Sequence, residues 1–313
     1  MKAKAIDSMT SDSRNAYWDV ERVLKQLAQG NPAAPWKIRL IGQGYQAQLF
    51  LAQRRLASAC QSVENEVVVK LYRVTVPADR QACLSEKSGL ETLSELLPGN
   101  VGDGWSICSP ALLCASDQPL ALVMSSLSGV SLDVWLHSHA PTAAETVSIV
   151  EAVLASLQVL WAQGFMYGDL NLKNILYDVK QRKLGFIDPG LPAEYYRCEH
   201  VPQEWFPMSR DLAYLLFSVA VSIRSTLGNP ASRQRQQRFV SLLVRKYVEA
   251  IGSSQQQASL LDEVRLCIET HLDELNGAWS PAGIWRHFVK RITHRSLHRT
   301  LGQLVAQVHE VRT

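Results

Sequence analysis

The apolar positions of this chain change period several times, and each change marks an element. Tyr17, Val20, Val23, Leu24 and Leu27 lie three or four apart, which predicts a short amphipathic helix. Residues 1 to about 15 before it read as a loose tail. Trp36 to Leu51 alternates and is broken by Gly42 and Gly44, as in a β-hairpin. Gln53 to Glu64 is polar and reads as a long connection, and the β-branched run Val67 to Tyr72 predicts a strand. After Pro77, residues Cys83, Glu86, Leu90, Leu93 and Leu97 share one helical face, with Glu91 and Glu95 on the polar side. Glu86 therefore sits among apolar neighbours. Pro98-Gly99-Asn100 ends this helix, and strands are expected near Ile107 to Leu113 and Leu120 to Met124.

Beyond residue 125 the pattern is mostly helical. Ser131 is placed to cap a short helix through His137. Val147, Val150, Leu154, Leu157 and Trp161 mark a long helix ending at Gly164. Short strands follow at Ile175 to Tyr177 and Leu184 to Ile187, and helices fill the chain from Asp211 onward. The expected fold class is α+β. Its parts are a tail and short helix (1–35), a mainly β part (36–125) and a helical part (126–313). There is no internal repeat.

Composition narrows the classes. At 313 residues the chain can form one large domain or two lobes sharing a cleft. Its 47% apolar and 19% charged residues are ordinary for a globular protein, and a net charge of +3 is too small to imply nucleic acid. The six cysteines form no Cys-x-x-Cys pair, so neither a zinc site nor a disulfide framework is indicated. The first residues, MKAKAIDSMTSDSRN, lack the apolar core of a signal peptide. The apolar run Leu212 to Ile223 is too short to cross a bilayer. The default expectation is a cytoplasmic protein without a transmembrane segment.

The chemistry concentrates in Gly168-Asp169-Leu170, followed by Asn174 and by Asp188 in Phe186-Ile187-Asp188-Pro189-Gly190. An Asp, an Asn five residues on and an Asp nineteen residues on suit phosphoryl transfer. The first Asp accepts the proton of an attacking hydroxyl, and the other two hold Mg²⁺ on the phosphates of ATP. Turn chemistry accounts for each residue singly, but not for the spacing.

The order of parts resembles the protein-kinase-like superfamily over about residues 36 to 225. A glycine loop, a strand Lys, a helix Glu, a hinge and the two acidic loops occur in sequence. The Gly-Asp form looks like the atypical branch, which includes aminoglycoside and lipopolysaccharide sugar kinases and small bacterial and archaeal Ser/Thr kinases. The resemblance implies a small antiparallel β lobe with one key helix, a large helical lobe, and ATP with Mg²⁺ as cofactors.

Residue by residue, the resemblance implies that Ile41, Gly42, Gly44 and Leu49 form the loop over the phosphates, although a plain hairpin turn explains them too. Lys70 would pair with the α- and β-phosphates and with Glu86; the alternative is a strand-end Lys that runs to water. Val68 and Leu176 would sandwich adenine. Met124 would take the gatekeeper place, and the backbone of Ser125 to Leu127 would bind adenine, where an ordinary strand and turn explains the same residues. Asp169 would be the base, Lys173 would hold the γ-phosphate, and Asn174 and Asp188 would ligate Mg²⁺. Asp211 would hold the catalytic loop, or simply cap a helix near Ser209.

The departures are equally specific. Tyr167 stands for the usual His, Gly168 for Arg, Pro189 for Phe and Asn171 for a common Lys, and no Ala-Pro-Glu follows. Without the Arg there is no receptor for an activating phosphate, and the platform for a peptide substrate is reduced. The function expected is an ATP- and Mg²⁺-dependent phosphotransferase resembling an atypical serine/threonine kinase. A small-molecule or sugar kinase is the enzyme alternative, with Glu194, Tyr195, Tyr196, Glu199, Glu204 and Trp205 as the acceptor lining. A non-catalytic ATP-binding scaffold is the other. Residues 284–312 carry Arg286, Lys290, Arg291, Arg295, Arg299 and Arg312 against Glu310. They read as a basic amphipathic helix for an anionic partner, or as a solvated helix face.

Overall fold

The computed structural model describes residues 11–27, 35–44, 46–57, 62–73, 77–97, 99–101, 104–190, 201–221, 230–274 and 302. In chain order the elements are α1 (Ser11–Leu27), β1 (Lys37–Gln43), β2 (Ala47–Ala57), β3 (Ser62–Tyr72), α2 (Pro77–Leu96), β4 (Asn100–Val101), β5 (Trp105–Cys108), β6 (Leu112–Asp117), β7 (Leu120–Ser125), β8 (Val130–Ser131), α3 (Leu132–Ser138), α4 (Ala143–Ala162), β9 (Ile175–Asp178), β10 (Lys183–Phe186), α5 (Met208–Val221), α6 (Pro230–Ala250) and α7 (Ser254–Glu274). They form two units, Met1–Ser94 with Ser109–Leu127, and Glu95–Cys108 with Ser128–Thr313.

The first unit is a five-stranded antiparallel sheet in the order β1-β2-β3-β7-β6. Strand side chains alternate between faces, and β3 is covered on both. Val67, Val69 and Leu71 pack with Ala16, Val20, Val23 and Leu24 of α1. Val68 and Tyr72, on the other face, pack with Cys83 and Leu90 of α2 and with Leu122 and Met124 of β7. Burial on both sides explains the unbroken β-branched run. It also places Lys70 between Val68 and Tyr72 on the α2 face. The helix α1 is thus part of the sheet's core, with Val20, Val23 and Leu24 fully buried.

Two expected boundaries are corrected here. The polar stretch Gln53 to Glu64 is largely strand: β2 runs to Ala57 and β3 starts at Ser62, paired Gln53 with Glu66 and Arg55 with Glu64. The ladder continues where the hydrophobic alternation has faded. Polar cross-strand contacts take over, with Gln53 Nε2 donating to Glu66 Oε2 at 2.5 Å and Arg54 4.5 Å above the Trp36 ring. The single strand expected near Ile107 to Leu113 is two strands, β5 and β6, in different sheets. The break falls at Ser109-Pro110, where proline has no N–H for a ladder. Residues 95–108 consequently group with the second unit, because β5 pairs in parallel with β10.

The second unit holds a smaller sheet, β4-β5-β10-β9-β8, and five of the helices. Thr142 caps α4 reciprocally with Glu145. By length and composition α4 is apolar enough to cross a membrane, and Val150, Val153, Leu157 and Leu160 are buried within the unit. Ser131 takes the N-cap place of α3, yet its hydroxyl donates to Asp133 Oδ1 at 2.6 Å instead of capping the helix. The run beginning at Leu212 is the buried helix α5, packed against α6 and α7. The expected α+β class is present: one unit is an antiparallel sheet with the two helices α1 and α2, and the other is mainly helical. The basic segment expected over 284–312 lies outside the described residues, apart from Gly302, and so do Glu194, Tyr195, Tyr196 and Glu199.

Candidate active site

The loop bearing Asp169 is anchored from α5. Asp211, in the first turn of α5, is fully buried. Its Oδ1 accepts from Gly168 N at 2.9 Å, and its Oδ2 accepts from Tyr167 N at 2.9 Å and Trp161 Nε1 at 2.8 Å. These bonds leave the helix, so Asp211 holds the loop and is not a helix cap. Burial pushes its carboxyl up to about 6, against the pull of the three donors. The start of α5 is held instead by Glu263 of α7, whose Oε1 accepts from Ser209 Oγ at 2.6 Å and whose Oε2 accepts from Trp205 N at 3.2 Å. Trp205 Nε1 and Glu204 both meet Ser259 of α7, which ties these two candidate lining residues to that helix. Sequence reasoning missed Glu263. It shares a helical face with Leu260, Val264 and Cys267, the pattern that singled out Glu86.

The loop itself is a closed set of polar contacts. Asn171 Nδ2 donates to Asp169 Oδ1 at 3.0 Å, and its Oδ1 accepts from Lys173 N at 2.9 Å and Asn174 N at 3.2 Å. Asn174 Nδ2 donates to Asp169 Oδ2 and Asp169 O, both at 3.0 Å, and to Asp188 O at 3.5 Å. Burial pushes Asp169 above the usual carboxylate range. A hydrogen bond from Tyr214 pulls it down, the charge of Asp188 raises it, and Asn171 and Asn174 lower it. Lys173 is exposed, and its backbone alone joins this network in the contacts described. Leu176 is half-buried in β9, opposite Gly185 and Ser131.

The Asp188 segment is fastened to the same loop through Tyr167, which is fully buried. The Tyr167 hydroxyl donates to Ile187 O and lies 3.3 Å from Asn174 O, while Tyr167 O accepts from Gly190 N at 2.7 Å. Between these two fastenings Asp188 has φ +57, a left-handed conformation that costs a non-glycine residue energy and has to be enforced by its surroundings. Position 190 needs glycine, because a Cβ there would lie 2.6 Å from Asp169 N and 2.7 Å from Gly168 C.

With Nδ2 of Asn174 committed to Asp169, its Oδ1 is the atom that can face a cation. Among the described residues, no three His, Cys, Asp or Glu side chains come together as a metal cluster. An amide oxygen and a carboxylate are hard donors that fit Mg²⁺, which is typically held by one or two carboxylates plus substrate phosphates.

In the first unit, Lys70 Nζ lies 2.5 Å from Glu86 Oε2, and the Tyr72 hydroxyl donates to the same oxygen. The two charged side chains are only 12% and 8% exposed, so Lys70 does not run to water. Its ammonium also lies 5.6 Å from the centre of the Tyr72 ring. Burial and the Glu86 charge push the Cys83 thiol up to about 11, which leaves it protonated and inert. Tyr72 is a partner that the sequence pattern did not single out.

Leu49 sits in β2 between Gly42 and Lys70, and the β1–β2 register shifts between Leu40 and Gly42. Gly44 N donates to Ala47 O at 2.8 Å across the turn, and Ile41 is 44% exposed. Met124 is buried opposite Val68. The Ser125 N–H donates to Ala111 O at 2.9 Å, so that one backbone group is engaged within the sheet unit.

No protein-family model and no curated protein sequence matches the chain. In fold it is similar to the kinase domain of PknI from Mycobacterium tuberculosis. The crystal structure of a double mutant of that domain is 16% identical, covers 76% of this chain and 99% of its own, and has a TM-score of 0.42. That of a single mutant is 15% identical, covers 78% of this chain and 96% of its own, and has the same TM-score of 0.42.

Proposed function

We propose that this chain is an ATP- and Mg²⁺-dependent phosphotransferase that moves the γ-phosphoryl group to an alcohol. The observation that carries the reading is the Asp169–Asn174–Asp188 constellation. One carboxylate is oriented by two amides, and one of those amides also reaches the backbone oxygen of the second Asp, which brings the three residues together. Asp169 accepts the proton of the attacking hydroxyl. Asn174 and Asp188 would hold Mg²⁺, which when bound neutralises phosphate charge. Lys70, oriented by Glu86, supplies a fixed positive charge to the phosphates. Little covalent work falls to the protein; its contribution is orientation and charge.

The pinned Asp188 segment supports an enzyme assembled without a switching step. Tyr167 fastens Ile187 and Gly190 on either side of it, and no Arg precedes Asp169 to receive an activating phosphate. The test is incubation with γ-labelled ATP and Mg²⁺, alone and with a lysate split into protein and metabolite fractions. Label should move to a hydroxyl acceptor or to the protein itself, and Asp169→Ala should abolish transfer while nucleotide binding persists. Full transfer by Asp169→Ala would sink the assignment. The fraction that takes the label separates a protein kinase from a small-molecule kinase.

A further inference from the structure

Strand β3 grips Glu86 of α2 at two points. Lys70 Nζ lies 2.5 Å from Glu86 Oε2, and the Tyr72 hydroxyl donates to the same oxygen. Residues two apart on a strand face the same side and stand about 7 Å apart, so both contacts come from one face of β3. Phosphate binding by Lys70 gives the first contact a purpose. The second has none in phosphoryl transfer as such.

The side chains differ in what they can fix. Lys70 carries its ammonium on a flexible four-carbon stem, and the Glu86 carboxylate turns on rotatable bonds of its own. Such a pair fixes a distance but not a place. Tyr72 has only two side-chain torsions, is 4% exposed, and packs its ring with Cys83 and Leu90 of α2 and Leu122 of β7. Its backbone pairs with Ala47 of β2. The fold therefore holds the hydroxyl, and the hydroxyl sets where Glu86 Oε2 stands. The Tyr72 ring also lies 5.6 Å from Lys70 Nζ, a second restraint on the ammonium. Because a hydroxyl is neutral, neither restraint adds a charge beside the pair.

We propose that Tyr72 is a positioning residue for nucleotide binding. Its hydroxyl holds Glu86 so that the Lys70 ammonium is already oriented for the phosphates when the nucleotide arrives. Less binding free energy is then lost to ordering that side chain. This inference rests on the phosphotransferase reading and adds a determinant of phosphate affinity to it.

The test is Tyr72→Phe in the full chain, which keeps the ring in its packing and removes only the hydroxyl. The Kd values for Mg·ATP and for adenosine are measured by calorimetry. Mg·ATP should bind about three- to tenfold more weakly, with adenosine unchanged, because adenosine has no phosphate for Lys70 to meet. An unchanged Kd for Mg·ATP overturns the proposal. So does an equal loss for both ligands, which would mark a merely structural role. In the combined variant Lys70→Met with Glu86→Leu, the hydroxyl has neither group to hold. Adding Tyr72→Phe there should leave the Kd for Mg·ATP where it is, and further weakening overturns an action through Lys70. A wild-type protein that binds Mg·ATP no more tightly than adenosine fails the phosphotransferase reading itself, and the proposal falls with it. That outcome is distinct from a phosphate-dependent wild type matched by Tyr72→Phe.

Discussion

Replacing Asp211 by Asn separates the energetic cost of a buried charge from the value of the bonds it accepts. The folded carboxyl titrates at about 6, against 3.8 for the ordinary group. Because the folded value is raised, the stabilisation is complete below about pH 4 and is lost as pH rises through about 6. The difference corresponds to about 3 kcal/mol, which wild type gives up between pH 4 and pH 8. The Asp211→Asn variant has no such loss, since an amide does not ionise. The amide has its own cost. Its oxygen can keep the donors Trp161 Nε1 and Tyr167 N, but its NH₂ then faces Gly168 N–H, leaving a buried donor unpaired at about 1–3 kcal/mol.

Asp211→Asn should therefore be about 1–3 kcal/mol less stable than wild type at pH 4 and as stable or more so at pH 8. Urea unfolding of both proteins across this range measures the difference, in which groups common to both cancel. A difference that stays flat from pH 4 to pH 8 would refute the account of a carboxylate ionised at a cost. Transfer should fall at every pH, because the Gly168 peptide beside Asp169 loses its anchor.

Removing one partner of the buried pair, as in Lys70→Met, should destabilise the first unit by about 3–5 kcal/mol, whereas Lys70→Met combined with Glu86→Leu should recover much of it; urea midpoints of the three variants decide. Gly190→Ala should cost about 1–3 kcal/mol by overpacking and should suppress transfer, since the new Cβ meets the Asp169 peptide and not a flexible side chain; an active Gly190→Ala enzyme would contradict the described geometry. Val20→Ala, a fully buried position of α1, should lower stability by about 2 kcal/mol, and a neutral outcome would mean that α1 is not docked on the sheet.

Local pattern carried a good part of this protein. The spacing of Asp169, Asn174 and Asp188 and the apolar neighbours of Glu86 are properties of the chain alone. So is the Val67 to Tyr72 run, and the structure contains its strand and the Lys70–Glu86 pair expected beside it. What the chain alone left open depends on partners distant in sequence. A polar hairpin extension keeps its ladder without an apolar face to announce it, so Gln53 to Glu64 looked like a connection. One apolar stretch divides between two sheets at Pro110, which only the pairing of β5 with β10 reveals. The N–H of Ser125 is taken by Ala111, and Glu263 holds the start of α5. Periodicity reports which face of an element is covered, but not what covers it. Sequence by itself thus singled out a few polar groups by their spacing and apolar neighbours, and the tertiary structure decided how each one is held, because hydrogen bonds and burial are made by whichever residues the fold brings near.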